Sequence, residues 1–123
     1  MYDKDLALEL LKQIYNSTKI IKMRFEPIKS TADFVKTDTG LEKLDAICMQ
    51  LIAIGESLKN LDKITDHSLL PNYPHIEWTK IKGMRDIITH HYFDLNAEAI
   101  YDVCQNHIDI LSATINQMIN DIM

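Results

Sequence analysis

Residues 83 to 93 read Gly83-Met84-Arg85-Asp86-Ile87-Ile88-Thr89-His90-His91-Tyr92-Phe93. An arginine, an acid, two histidines and a tyrosine crowd into this segment, and its apolar residues recur at helical spacing. If residues 78 to 92 form one helix, at about 100° per residue, a polar side and an apolar side separate. The polar side and the arc beside it carry Arg85, Trp78, Lys82, Thr89, Tyr92, Asp86 and His90; the apolar side carries Ile81, Met84, Ile87 and Ile88.

The two neighbouring histidines fall on different sides of this helix. His91 lies among the isoleucines, so we expect a structural role in the core or in an interface. His90 lies with Arg85 and Asp86, and the spacing allows an i,i+4 hydrogen bond between Asp86 and His90. Two interpretations stay open: an ordinary solvated polar face, or a titratable histidine near a fixed cation, which phosphoryl chemistry requires.

The composition indicates one globular domain over residues 1–123. Hydrophobic residues make up 46% of the chain, enough for a packed core, and only three glycines and three prolines favour helices over tight turns. The formal net charge of −5 argues against nucleic-acid binding through overall electrostatics. A local basic site stays open, since Lys80, Lys82 and Arg85 lie within six residues.

The cysteines and the N-terminus indicate the compartment. Cys48 and Cys104 are far apart, show no metal-type spacing and lie in apolar periodic runs, so we expect buried free thiols in a reducing environment. Residues 1–5 are charged and show no apolar signal region. No apolar run approaches the roughly 20 residues of a membrane span. We therefore expect a cytoplasmic protein without a membrane partner.

Apolar periodicity predicts an all-α antiparallel bundle of four main helices, with room for a short fifth. Helix 1 covers about residues 3–23, and the short helix lies near 30–36. A capping box with Thr39 as N-cap and Glu42 starts helix 2, which runs to about Leu61. After a Pro-containing loop at 62–74, the opening segment forms helix 3. Asn96 caps helix 4, which continues to Ile122 with His107 as a structural residue on its apolar face.

Two features of helix 2 indicate contacts with other helices. Gly55 lies inside the apolar stripe, where glycine costs about 1 kcal/mol relative to alanine, and the close approach of a neighbouring helix would explain it. Met49, Ile52 and Ala53 widen the apolar surface beyond one stripe. Either a subunit interface or a thick bundle core would account for this width.

The motifs that are missing limit the chemistry. There is no Gly-rich phosphate loop, no His-Glu-x-x-His and no Cys/His metal spacing, so we expect chemistry without metal or cofactor. RNA cleavage by its own 2′-hydroxyl needs only a base, an acid and cations for the phosphorane charge. His90 suits the first two roles, and Arg85, helped by Lys82, can hold the phosphate. One helix supplies one such histidine, and a symmetric dimer would supply two.

These residues resemble a known family. Arg85-x4-His90-x-Tyr92 matches the R-x4-H-x-Y motif of HEPN-domain toxins of the HepT-like family. The segment 54–57, Ile-Gly-Glu-Ser, is similar to the family's I-G-E-A. The run 76–85 resembles its P-x-I-x-W-x-x-I-x-G-M-R, and 92–95 resembles its exit from the motif helix. The match is closest over residues 54 to 95.

The resemblance implies a helical bundle that dimerises with its two motifs facing one another. Family members that are active are metal-independent endoribonuclease toxins, usually paired with a minimal nucleotidyltransferase antitoxin that can transfer AMP to the motif tyrosine. By position, Arg85 and His90 would be catalytic and Tyr92 the modification site. Lys82, Asp86 and Thr89 stand beside them as supporting residues.

One departure from the family motif supports an alternative function. The residue after the arginine is often Asn in this family, and here it is Asp86, an acid where a phosphate would bind. The alternative is therefore a non-catalytic HEPN interaction module that binds a nucleotidyltransferase partner or a nucleotide.

Overall fold

A computed structural model describes residues 2–90 and 96–123, and in these ranges the chain is helical with no β-strand. The all-α bundle is confirmed. The helices are α1 (Lys4–Phe25), α2 (Thr31–Val35), α3 (Asp38–Ile64), α4 (Trp78–His90), α5 (Ala97–Asn106) and α6 (Ile108–Ile122), with a 3-10 turn at Leu70–Asn72 between α3 and α4. None of the helices in the described ranges is long and apolar enough to cross a membrane.

Side-chain caps start α1, α3 and α5. Asp3 accepts a hydrogen bond from the Leu6 backbone N–H at 3.1 Å, which begins α1. Asn96 accepts from the backbone N–H groups of residues 98 and 99, so the predicted N-cap is confirmed. The predicted capping box at Thr39 is wrong: Thr37 is the N-cap of α3 and accepts from the Gly40 N–H at 2.9 Å. These caps satisfy backbone donors that a helix start otherwise leaves unpaired.

The core lies between α1, α3 and α6, with α2 and α5 closing one end. Fully burying a large aliphatic side chain contributes about 1.5–3 kcal/mol, so this cluster supplies the main driving force for folding. Its largest fully buried members are Phe34, Leu11, Ile14, Ile21, Ile47, Ile54, Leu58, Leu61, Ile88, Ile100, Ile108 and Leu111.

Both cysteines are buried and free, as the sequence predicts. Burial raises the pKa of Cys48 and of Cys104 to about 12, from an ordinary value of 9.0. Since the thiolate is the reactive form, these side chains behave as small apolar core residues.

The predicted fourth helix is two helices in the structure. Its backbone leaves α-geometry at His107 (φ −123°, ψ −28°), where α5 ends and α6 begins. The prediction that His107 is a structural residue on the apolar face is wrong as well. Its side chain is 50% exposed, with Nε2 3.5 Å from Asp102 Oδ2. Buried Cys104 and Ile108 keep the four-residue spacing across the break, so the apolar pattern continues through it.

Helix α4, which carries most of the candidate residues, packs on α3. Its first residue, Trp78, is buried and donates its indole N–H to the Tyr73 carbonyl at 3.0 Å. Gly55 of α3 lets the two backbones come together: a Cβ added there would lie 3.2 Å from Arg85 Cβ and 3.3 Å from the Lys82 carbonyl oxygen. The predicted close approach of a helix at Gly55 is therefore confirmed.

Candidate active site along the contact of α3 and α4

The buried side of α4 differs in two positions from the predicted apolar side: it includes Trp78, which the helical spacing places on the polar side, and it leaves out Ile87. Trp78, Met84 and Ile88 face the core, and Ile81 is partly buried. Ile87 was predicted on the same side, but it is 52% exposed. Because α4 packs mainly on α3 alone, its apolar arc is covered on one flank and the flank that carries Ile87 stays open.

Arg85 stands where α4 touches α3. Its Nε lies 2.7 Å from Glu56 Oε2 across the helix contact, and its Nη1 lies 3.0 Å from Asp86 Oδ1. The side chain is partly buried, and its Cβ faces Gly55. Two charge-assisted contacts, together with the close packing of its Cβ against Gly55, therefore fix the direction of the Arg85 guanidinium.

Asp86 is not hydrogen-bonded to His90 as the helical spacing suggested. One of its oxygens accepts from Arg85, and the other lies 3.7 Å from Lys59 Nζ on α3. The acid thus stands between two cations. This is a physical reason for an acid beside Arg85, where a phosphate site would not otherwise select one.

Lys82 and Thr89 lie on either side of Arg85 along α4 but make separate contacts. Lys82 Nζ lies 2.5 Å from Oδ2 of Asp62, a carboxylate whose side chain is only 7% exposed. The Thr89 hydroxyl donates to the Arg85 carbonyl oxygen at 2.9 Å. One N–H of Lys82 is thereby bound to a buried carboxylate, and the Thr89 hydroxyl is bound to the helix backbone.

His90 closes the described part of α4 and is exposed. At 100° and 1.5 Å per residue, it is rotated by about 140° from Arg85 and displaced by about 7.5 Å along the helix. Its ring makes no side-chain hydrogen bond with the described residues. His91 and Tyr92 lie outside the described residues.

Two residues of α3, Glu56 and Lys59, complete the charged groups around Arg85, and neither was assigned a role from the sequence. They continue a line of residues 45, 49, 52, 56 and 59, whose spacings of three and four place them on one face of α3. That spacing was available from the sequence. What was missing is the register of α3 against α4, which sets Glu56 opposite Arg85.

The charges along this contact balance. The cations Arg85, Lys59 and Lys82 pair with the carboxylates Glu56, Asp86 and Asp62. Among the described residues there is no group of three His, Cys, Asp or Glu side chains that could hold a metal ion. What the arrangement offers chemically is an immobilised guanidinium, and an exposed imidazole about 1.4 turns further along the helix.

Comparison with known proteins agrees with these observations. The profile of the family described as "Ribonuclease HepT-like" matches residues 7–118. "Putative RNase MJ0127" of Methanocaldococcus jannaschii is 32% identical over 103 residues, which cover 79% of this chain and 82% of that protein. "Putative RNase TTE0752" of Caldanaerobacter subterraneus subsp. tengcongensis is 35% identical over 92 residues, covering 73% and 74%. No solved structure matches.

Proposed function

Because the chain belongs to the HepT-like family of HEPN ribonucleases, we propose that it is a metal-independent endoribonuclease that acts as a homodimer. The observation that carries this proposal is the fixed Arg85, held by Glu56 and Asp86 beside the exposed His90. An immobilised guanidinium can stabilise the charge that develops on a phosphorane. The substrate is RNA, since its 2′-hydroxyl supplies the nucleophile and the protein need only move protons.

The directions of the two side chains favour a site shared by two protomers. Arg85 leans toward α3, and His90 is rotated by about 140° away from it. A second protomer that packs against the exposed side of α4 brings a second His90. One imidazole then takes the proton from the 2′-hydroxyl, and the other protonates the leaving 5′-oxygen. The new bond joins the 2′-oxygen to phosphorus, the bond from phosphorus to the 5′-oxygen breaks, and a 2′,3′-cyclic phosphate remains.

An exposed apolar surface next to the site supports the dimer. Met49 of α3 is 63% exposed and lines a surface pocket together with Ile52 of α3 and with Ile88 and Thr89 of α4. Large apolar side chains grouped on one surface are typical of protein interfaces. A charge placed there should separate the protomers. We expect Met49→Asp to convert a dimer to a monomer in light scattering, while Met23→Asp, a change at an equally exposed methionine of α1, leaves the mass unchanged.

The family resemblance also supplies the proposed control of the enzyme. In this proposal the protein is the toxin of a toxin–antitoxin pair, and a minimal nucleotidyltransferase antitoxin neutralises it by transferring AMP to Tyr92. Intact-protein mass spectrometry with and without the partner tests this: the modified chain gains the mass of one or more AMP groups, and the Tyr92→Phe variant gains none. Modification that persists in Tyr92→Phe would contradict the assignment.

Cleavage of RNA in EDTA by the purified protein tests the central proposal. We expect 2′,3′-cyclic phosphate ends, and loss of cleavage in His90→Ala and Arg85→Ala. Mixing tests the shared site. After subunit exchange with a tenfold excess of His90→Ala protein, a shared site retains roughly one tenth of the wild-type activity, because few wild-type dimers remain. If the activity is unchanged by the mixing, each protomer works alone.

One observation favours the alternative function. Two carboxylates already neutralise Arg85, so a single protomer presents no surplus positive charge to a phosphate. A non-catalytic module that binds the nucleotidyltransferase or a nucleotide would need no surplus positive charge at Arg85. This alternative predicts a stable complex with the nucleotidyltransferase, no RNA cleavage, and binding that survives His90→Ala. Isothermal titration calorimetry with the nucleotidyltransferase would distinguish the two functions.

A further inference from the structure

The charged contact between α3 and α4 continues beyond Arg85 into a cleft of about 340 Å³ that lies outside the motif. Three nitrogen-bearing side chains and one carboxylate line it. The lining residues are Lys59, Asp62, His67, Thr79, Lys82 and Gly83.

A turn after α3 builds the far wall of the cleft. Asp66 and His67 both have positive φ, 51° and 58°, which non-glycine residues seldom adopt. The His67 N–H donates to the Asp62 carbonyl oxygen at 2.8 Å, which closes the turn. This conformation brings His67 Nδ1 to 3.5 Å from Asp62 Oδ2, the same oxygen that Lys82 contacts.

Lys59 joins the cleft to the candidate catalytic residues. It lines the cleft, and its Nζ lies 3.7 Å from Asp86, whose other oxygen accepts from Arg85 at 3.0 Å. Asp86 therefore lies between Arg85 and Lys59, and Asp62 lies between Lys82 and the His67 imidazole. The result is one continuous line of cationic groups along the α3–α4 contact.

We propose that this cleft binds the phosphate of an RNA nucleotide next to the one that is cleaved, with Lys59, Lys82 and His67 as its ligands. The inference rests on the proposed ribonuclease function and extends it to the path of the strand. An RNA strand carries one negative charge per nucleotide, so a strand whose scissile phosphate lies at Arg85 brings a further phosphate next to it, for which this cleft offers cationic ligands.

The cleft has the donors and the space for a phosphate. Each lysine ammonium has three N–H donors, and among residues 2–90 and 96–123 each of the two contacts one carboxylate, so donors remain. Lys59 and Lys82 pair with Asp86 and Asp62, so protonated His67 adds the one positive charge that these carboxylates leave in surplus. Gly83 leaves the α4 side open, because a Cβ added there would meet no atom within 4 Å.

Binding to a strand that cannot be cleaved tests the cleft separately from the chemistry. The probes are short fluorescent 2′-deoxy oligonucleotides with and without one additional terminal phosphate, at the 5′ or the 3′ end, measured by anisotropy. We expect the wild-type protein to prefer one phosphorylated form by about tenfold. His67→Asn should lose most of that preference and still form the turn, because asparagine tolerates positive φ.

Lys59→Ala should also lose the preference, and Lys63→Ala is the matched control, because Lys63 is an exposed lysine of α3 that does not line the cleft. The proposal is overturned if wild type shows no preference for either phosphorylated form, or if His67→Asn and Lys59→Ala both keep it. Failure of the proposed ribonuclease function would show differently: no RNA cleavage in EDTA, whatever the binding preference.

Discussion

The two glycines at the α3–α4 contact provide a matched pair of substitutions. Gly55 and Gly83 both lie inside helices, where changing glycine to alanine gains about 1 kcal/mol from helix propensity. At Gly83 a new methyl group meets nothing within 4 Å, so Gly83→Ala should raise the free energy of unfolding by roughly this amount. Any difference between the two variants then reports the packing at Gly55.

At Gly55 the same methyl group would lie 3.2 Å from Arg85 Cβ and 3.3 Å from the Lys82 carbonyl oxygen. Both atoms belong to the body of α4 rather than to a flexible side-chain end, so the helix must move by a few tenths of an ångström. Overpacking of this kind costs about 1–3 kcal/mol. After the propensity gain is subtracted, Gly55→Ala should lower the free energy of unfolding by about 1 kcal/mol, and the two variants should differ by about 2 kcal/mol.

Urea unfolding followed by far-UV circular dichroism measures both changes, and the chain's single tryptophan, the buried Trp78, gives a second probe at the start of α4. All samples need the same protomer concentration, since dimer formation would make stability depend on concentration. Equal m-values are required for the comparison. If Gly55→Ala stabilises the protein as much as Gly83→Ala, α3 and α4 do not approach closely at Gly55, and their contact does not fix the position of Arg85.

Three further changes test other parts of the fold. Asp62→Ala should lower the free energy of unfolding by about 2–3 kcal/mol in urea, because it removes the buried partner of Lys82; a double-mutant cycle with Lys82→Ala should recover most of this as coupling energy. Gly40→Ala should destabilise the protein more than Gly55→Ala, since its Cβ would overlap a backbone carbonyl oxygen of α2. As pH rises from about 9 to 12, the free energy of unfolding should fall, because burial raises the pKa of Cys48 and Cys104 to about 12 and the unfolded chain therefore loses these protons first; a double cysteine-to-alanine variant should show a flatter slope.

The sequence was sufficient to predict the long helices because their signals are local. Apolar spacing located α1 and α4, the Asn96 cap located the start of α5, and the stripe on α3 identified its core face. The break at His107 could not be predicted in this way. Cys104 and Ile108 keep a spacing of four, so the apolar pattern is the same whether or not the backbone leaves α-geometry between them.

The start of α3 shows a choice that only tertiary contact decides. Thr37 and Thr39 are both good N-caps, and Thr39 also has Glu42 in the capping-box position. The structure uses Thr37, whose hydroxyl accepts the Gly40 N–H. Gly40 packs directly against the carbonyl oxygens of residues 33 and 34, so α2 and α3 meet there, and the helix has already begun at that point.

The charge on Arg85 could not be judged from its own helix. The sequence of α4 alone predicts that Arg85 and Lys82 are available to bind a phosphate and that Asp86 would repel it. Glu56 and Asp62 come from α3, about thirty residues earlier for Arg85 and twenty for Lys82, and no local pattern predicts that they neutralise these cations. Pairing fixes the guanidinium in place, yet it also removes the surplus charge that would attract a phosphate.

The fixed position of the Arg85 guanidinium and its neutralisation by carboxylates together limit how this site can bind a phosphate. A phosphate that approaches one protomer meets a well-oriented guanidinium whose field is balanced by two carboxylates at 2.7 and 3.0 Å. The additional positive charge must therefore come from groups beyond this cluster. The candidates are a protonated His90, the second copy that a dimer brings, and a protonated His67 in the cleft along the same contact. On this view Asp86 holds Lys59 beside Arg85, so the acid that departs from the family motif helps to extend the cationic line instead of blocking it.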